Sequence, residues 1–198
     1  YILKIFMKLI SISFLIIIIF FTKSFTDEQT QFLKWKNNFK TVALNNDISE
    51  TTFDTVMSNV RFLPKVIEYD RFQPEFYEDT FTYIKKRTSK KKIRNGINLY
   101  KKEKKIIDKV ENDFQVEKEL LLALMGIETN FGKYLGKMDI ISSLATLSFD
   151  KRRSEFFTKE LLILLNLVDK NIIKKDILYG SWAGAFGNFQ FMPRTIRN

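Results

Sequence analysis

Residues 116–132 read VEKELLLALMGIETNFG, an apolar helical stretch that carries Glu128 near its end. On a helix, Glu128 shares a face with three apolar neighbours three, four and seven residues back: Met125, Leu124 and Leu121. Desolvation on such a face favours the protonated form of a carboxylate, so we expect Glu128 to hold a proton near neutral pH. A protonated Glu can act as the general acid in sugar cleavage. A buried Glu paired to an Arg for structural reasons explains the spacing about equally well.

The composition removes several kinds of catalytic site. The 198 residues include no His and no Cys, which excludes within this stretch a Ser-His-Asp triad, a His-ligated zinc and a reactive thiolate. Proton transfer near neutral pH then falls to carboxylates, or less often to Tyr or Lys. The 45% of hydrophobic residues and the seven glycines indicate a folded, mainly helical chain.

The N-terminus has the layout of an export signal. Lys4 and Lys8 precede the apolar run Leu9–Phe21, which is short for a membrane-spanning helix of about 20 residues. We predict that residues 1–24 form a signal peptide cleaved after Ser24, or alternatively an uncleaved N-terminal anchor. In both cases the rest of the chain is exported, either into the periplasm or anchored to the periplasmic face of the inner membrane.

Helical spacing of apolar residues continues beyond residue 24 with few interruptions. We predict one domain over 25–198, with an N-terminal helical part (25–113) and a catalytic core (114–198). The predicted helices are Phe25–Leu44, Thr52–Val60, Phe81–Tyr100 with a break near Asn95-Gly96, Ile106–Thr129 as two helices joined around Asp113–Gln115, and Ser154–Val168. The two prolines in Leu63–Phe76 favour an extended or turn-rich passage. The Gly- and aromatic-rich stretch Tyr179–Pro193 is typical of a loop around a site.

Several sequence blocks in one order resemble the lytic murein transglycosylase B family, from about Asp70 to the end. The blocks are Gln73-Pro74-Glu75-Phe76, Arg94-Asn95-Gly96, 126–132 (GIETNFG), 145–149 (ATLSF), 152–157 (RRSEFF), 180–187 (GSWAGAFG) and 190–193 (QFMP). The resemblance implies a mainly α, lysozyme-like domain that cleaves the bond between N-acetylmuramic acid (MurNAc) and N-acetylglucosamine (GlcNAc) in peptidoglycan.

The resemblance also assigns roles to residues. Glu128 matches the family's single catalytic Glu, which first protonates the leaving oxygen. The same Glu then removes the proton of the muramic acid 6-hydroxyl, giving a 1,6-anhydro product. Ordinary glycosidases use two carboxylates, and these blocks offer no convincing second one. A hydrolytic lysozyme of the same fold and a non-catalytic peptidoglycan-binding protein remain as alternatives.

Five further residues are implied to contact substrate: Ser181, Gln190, Tyr83, Arg152 and Arg153. Ser181 and Gln190 would hydrogen-bond the sugar, unless they only shape a turn. Tyr83 matches a cleft tyrosine by its spacing from Gly96. The two arginines would contact the glycan or the peptide stem, although one of them could instead pair with Glu155 or Glu160.

The family pattern continues beyond Met192-Pro193, with a cation-binding loop in some members, so we expect an incomplete C-terminus, no metal and no cofactor. The run 85–105 holds eleven Lys or Arg against Glu103 alone, and therefore the whole formal net charge of +10. A solvated helical face is the first interpretation, and attraction to an anionic polymer or a membrane surface is the second. Peptidoglycan fits as such a polymer. No nucleic-acid motif accompanies the run, and we expect no nucleic-acid partner.

Overall fold

The computed structural model describes residues 27–72 and 79–197. The predicted signal segment 1–24 and the 73–76 block lie outside these residues. The chain divides into two compact units, of which the first ends at Asn46 and the second begins at Asp47. In the first unit, helix α1 covers residues 27–44, and Trp35 stacks on Phe32 and Phe39 with ring centroids 5.4 and 5.1 Å away.

The second unit is mainly helical, which confirms the predicted class. Its helices are α2 (Glu50–Met57), α3 (Pro64–Arg71), α4 (Thr80–Arg87), α5 (Lys90–Phe114), α6 (Lys118–Thr129), α7 (Ile140–Phe149), α8 (Ser154–Asp169) and α9 (Pro193–Arg197). Two short antiparallel strands, β1 (Met138–Asp139) and β2 (Tyr179–Gly180), flank α7 and α8 in sequence. The predicted division at 113/114 falls at the end of α5 and stays a prediction.

The core of the second unit is the pair α7 and α8. Every residue from Ile140 to Ser148 is buried, and α8 contributes Phe157, Leu161, Leu164 and Leu165. Two polar residues of α7 are satisfied by backbone: the hydroxyl of Ser142 accepts from the Arg61 amide (3.1 Å), and that of Thr146 from the Leu63 amide (3.0 Å). Because α7 is buried all round, its sequence lacks amphipathic spacing, and this helix was not predicted.

The turn-rich passage predicted over Leu63–Phe76 is wrong for its first half. Pro64 opens helix α3, which runs to Arg71. A proline is well tolerated at the first helical position, because its missing N–H has no partner there in any case. The proline therefore marks a helix start rather than a turn.

The basic helix predicted over Phe81–Tyr100 breaks at a different point. It divides at Thr88 and Ser89, and the Ser89 hydroxyl accepts from the Lys92 amide at the start of α5. The chain stays helical through Asn95 and Gly96. Further along, α5 is kinked at Glu103.

The predicted division around Asp113–Gln115 is confirmed. Helix α5 ends at Phe114, Gln115 takes a left-handed conformation (φ 55°), and α6 begins at Lys118. Within the ranges 27–72 and 79–197, no helix has the length and apolar character needed to cross a membrane.

Candidate active site

Glu128 lies in the last turn of α6, and its side chain is exposed. The expectation of a buried carboxylate is therefore wrong for the free protein. The reason is that α6 is apolar on more than one face, so that the periodicity did not identify the covered one. Leu120, for example, is 50% exposed, while Gly126 is buried.

Glu128 lines an open groove of about 500 Å³ bounded by the end of α4, the start of α5 and the end of α6 with its following loop. The lining residues are Arg87, Ser89, Lys91, Lys92, Asn95, Ile127, Glu128, Thr129, Asn130, Lys133 and Tyr134. Among these described residues Glu128 is the only acid, and four are basic. The groove thus presents one carboxylate within a cationic wall.

Lys92 joins two of the helices that form the groove. Its amine donates to the carbonyl oxygen of Gly126 at 2.8 Å, two residues before Glu128. Burial, and secondarily the neighbouring Arg87 guanidinium, lower the pKa of Lys92 from its ordinary value. The bond holds α5 against the end of α6.

Phe131 fills the space between the same two helices. It follows Asn130, and both residues have left-handed backbones (φ 61° and 50°), which turns the chain back after Glu128. A Cβ added to Gly96 or Gly126 would lie 3.2 or 2.8 Å from the Phe131 Cζ atom. The two glycines therefore leave room for the ring, which explains why a glycine lies within α5.

We expect Gly126→Ala to lower the free energy of unfolding, as overpacking costs about 1–3 kcal/mol. In a helix without this contact, the same change would gain about 1 kcal/mol. Urea denaturation of Gly126→Ala, Phe131→Leu and the double variant measures the coupling. The double variant should lose less than the sum of the two single losses. A Gly126→Ala protein more stable than wild type would contradict this packing.

Thr129 ties the end of α6 to the Gly-rich loop and was not singled out from the sequence. Its fully buried hydroxyl lies 2.8 Å from the Asn188 carbonyl oxygen and 3.1 Å from that of Met125, and it accepts from the Gly132 amide. Since Asn188 is 59 residues away, no local signal could have revealed this link.

Ser181 and Gln190 lie in the Gly-rich loop, and neither is among the residues that line the Glu128 groove. Ser181 shapes a turn: its hydroxyl accepts from the Ala185 amide (3.0 Å), and its amide donates to the Ala185 carbonyl (2.8 Å). The Gln190 side-chain amide donates to the carbonyl oxygens of Leu135 (3.1 Å) and Gly187 (3.0 Å). Their contact with sugar stays a prediction.

Tyr83 approaches the groove through one neighbour. It is exposed on α4, and the Arg87 guanidinium lies over its ring, 4.5 Å from the centroid. Arg87 itself lines the groove. Tyr83 is therefore placed to hold Arg87, and its own contact with substrate stays a prediction.

Arg152 and Arg153 are held by Asp70, whose side chain is 1% exposed. Arg152 donates to the Asp70 carboxylate at 2.9 Å and to its backbone oxygen, and Arg153 donates to the other carboxylate oxygen. Neither arginine lines the Glu128 groove. Their contact with the glycan or peptide stem stays a prediction.

The suggested pairing of an arginine of this pair with Glu155 or Glu160 is wrong. Glu155 pairs with Lys159 in the next turn of α8, and buried Glu160 accepts from the side chain and the backbone amide of Arg194. Both glutamates are thus in ion pairs. In the part of the chain that the structure describes, no group of three or more His, Cys, Asp or Glu residues could hold a metal ion.

Comparison with known proteins identifies the family to which this chain is similar. Residues 31–198 match the family model described as the Transglycosylase SLT domain. The chain is 33% identical over 116 residues to the membrane-bound lytic murein transglycosylase B of Escherichia coli (strain K12), covering 58% of this chain and 32% of the relative.

Solved structures agree. SltB3 from Pseudomonas aeruginosa, in complex with NAG-NAM-pentapeptide, superposes with a TM-score of 0.80 at 33% identity, over 84% of this chain and 44% of that one. The E. coli lytic transglycosylase Slt35, in complex with bulgecin A, gives 0.69 at 25% identity, over 85% and 54%. The chain therefore spans about a third to a half of the length of these relatives. The lysozyme-like fold class is confirmed. Because the family model matches most of the chain, the chain belongs to the transglycosylase SLT domain family, in its lytic murein transglycosylase B-like group.

Proposed function

We propose that this chain carries the catalytic centre of a peptidoglycan lytic transglycosylase, which cleaves the MurNAc–GlcNAc β-1,4 bond and leaves 1,6-anhydro-MurNAc ends. The observation that carries this proposal is that Glu128 is the only acid among the described residues that line a groove at the end of α6. One carboxylate suffices when the substrate's own 6-hydroxyl attacks the anomeric carbon. A retaining glycosidase needs a second carboxylate about 5–5.5 Å away as a nucleophile.

Glu128 acts first as an acid and then as a base. Its proton passes to the leaving GlcNAc oxygen, and the resulting carboxylate then removes the proton of the muramic acid 6-hydroxyl as that oxygen bonds to the anomeric carbon. The acid begins and ends the cycle protonated, and no water is consumed. The substrate's acetamido group stabilises the intermediate cation.

An exposed Glu128 needs the substrate to become an effective acid. A glycan lying in the groove displaces water, and loss of water favours the neutral form of a carboxylate. The bound glycan therefore excludes the water that surrounds Glu128 in the free groove. Two complexes of one relative are consistent with this chemistry: SltB3 was solved with NAG-NAM-pentapeptide and with NAG-anhNAM-pentapeptide.

We further propose a partner, a location and a set of substrate contacts. Peptidoglycan strands are the partner, and the exported location, periplasmic or at the periplasmic face of the inner membrane, rests on the predicted signal or anchor in 1–24. Ser181, Gln190, Tyr83, Arg152 and Arg153 are proposed to support substrate binding, directly or by shaping the loops around the groove.

Mass spectrometry of the products tests the reaction type. Digestion of purified peptidoglycan should release fragments with anhydro ends, lighter by one water molecule than the hydrolytic products of a muramidase run in parallel. Products of hydrolytic mass would identify a lysozyme instead. Absence of any cleavage would favour the non-catalytic binding protein.

A further inference from the structure

Part of the positive charge of the run 85–105 lies beside Glu128. The run 85–105 forms the end of α4 and the first part of α5. Three of its cations line the groove: Arg87, Lys91 and Lys92. Lys133 adds a fourth from the loop after α6. The described lining thus sets four formal positive charges against the one carboxylate.

The far end of the same helix is organised differently. There the chain supplies its own counter-charges: Lys102 pairs with Glu103 (3.0 Å), Lys104 pairs with Asp108, and Lys118 at the start of α6 pairs with Glu111 (2.9 Å). In the described lining of the groove, by contrast, Glu128 is the only acidic residue beside four basic ones. An excess of one sign in a concave site attracts ligands of the opposite sign.

Two of the groove cations are held in place before any ligand arrives. The Lys92 amine is hydrogen-bonded to the Gly126 carbonyl, and the Arg87 guanidinium is stacked on Tyr83. Side chains that are already ordered lose less conformational freedom on binding. The other two, Lys91 and Lys133, are exposed at the rim and can reach a ligand that leaves the groove.

The sugar backbone does not explain these charges. The GlcNAc and MurNAc rings are uncharged, whereas the lactyl branch of muramic acid ends in a carboxylate or carries a peptide with free carboxylates. This branch belongs to the sugar whose bond Glu128 would cleave. We infer that Arg87, Lys91, Lys92 and Lys133 form a subsite for carboxylates on the muramic acid branch, so that anionic strands are selected over neutralised ones. This inference rests on the proposed function.

A binding experiment separates this selectivity from catalysis. The Glu128→Gln protein is titrated, by calorimetry, with glycan strands of equal length in three forms: free-acid peptide stems, amidated stems, and no peptide with a bare lactyl carboxylate. We expect amidated strands to bind about tenfold more weakly than free-acid strands, as the loss of a few partly exposed charge pairs implies. The difference should shrink as salt is raised.

Charge-removal variants locate the subsite. Adding Lys91→Gln and Lys133→Gln should bring the two affinities to within about twofold. The matched control is Lys102→Gln with Lys109→Gln, which removes the same charge from residues lining a separate surface hollow on the far part of α5. That control should keep the full difference. Circular dichroism checks that each variant folds.

The outcomes are distinct. Equal affinity for free-acid and amidated strands, no binding of any strand, or an equal effect of the control pair would overturn the subsite. If peptide-free strands bind like free-acid strands, the lactyl carboxylate is the ligand. If peptide-free strands bind as weakly as amidated strands, the carboxylates of the peptide stem are the ligand. Product mass from the wild-type protein decides the proposed function separately, because binding can be selective whether or not anhydro ends form.

Discussion

Replacing Glu128 by Gln is expected to reduce the rate of peptidoglycan cleavage by about 10²–10⁴-fold, the usual contribution of general acid–base catalysis. Gln has nearly the same size but cannot deliver a proton to the leaving oxygen or accept one from the 6-hydroxyl. Since Glu128 is exposed, the substitution removes no buried contact, and the fold should be unaffected. The measurement is the initial rate of soluble fragment release from labelled peptidoglycan.

Glu155→Gln is the matched control for this rate. Glu155 is an exposed glutamate that pairs with Lys159 on α8 and does not line the groove. Its rate should stay at the wild-type level. A Glu128→Gln protein that cleaves within a factor of a few of wild type would rule out Glu128 as the acid and would leave it a surface residue.

Replacing Asp70 by Asn should lower the free energy of unfolding more than Gly126→Ala does. Hydrogen bonds to charged groups contribute about 1.5–3 kcal/mol each, and Asp70 receives one from each of Arg152 and Arg153. The arginine side chains are 47% and 39% exposed, so water replaces part of what they lose. We therefore expect the free energy of unfolding to fall by about 2–3 kcal/mol, less than the full sum. Urea denaturation measures it.

Glu68→Gln on the same helix is the control for Asp70→Asn. Glu68 pairs with Lys65 at 2.7 Å, but both side chains are 63% exposed, and such pairs contribute little. The control should unfold like wild type. If Asp70→Asn also unfolds like wild type, the cluster does not anchor α3 to the turn before α8, and a binding role for the two arginines gains weight.

Much of the helical framework could be predicted from the sequence, because helix ends are encoded locally. The polar tripeptide Asp113–Gln115 marks the division between α5 and α6, and the helix predicted over Ser154–Val168 is observed as Ser154–Asp169. The prediction from local sequence failed at Pro64, because a proline can start a helix as well as interrupt one. It failed again at α7, whose complete burial removes the periodic signal.

Only part of the candidate site, likewise, could be predicted from the sequence. Glu128, its helix and its family motif could be identified from consecutive residues. The neighbours of Glu128 could not, because Lys92 and Lys133 reach the groove from different elements. Arg152 and Arg153 likewise meet Asp70 across about 82 residues of chain.

By itself, the sequence determined the mainly helical class, the single catalytic candidate and its position at a helix end, since these depend on nearest neighbours and a continuous motif. Only the tertiary structure decided that Glu128 is exposed and that four cations surround its groove. Burial depends on which face of α6 another helix covers. In this protein α5 covers the Gly126 face, where Phe131 and Lys92 pack, and leaves the carboxylate exposed to solvent.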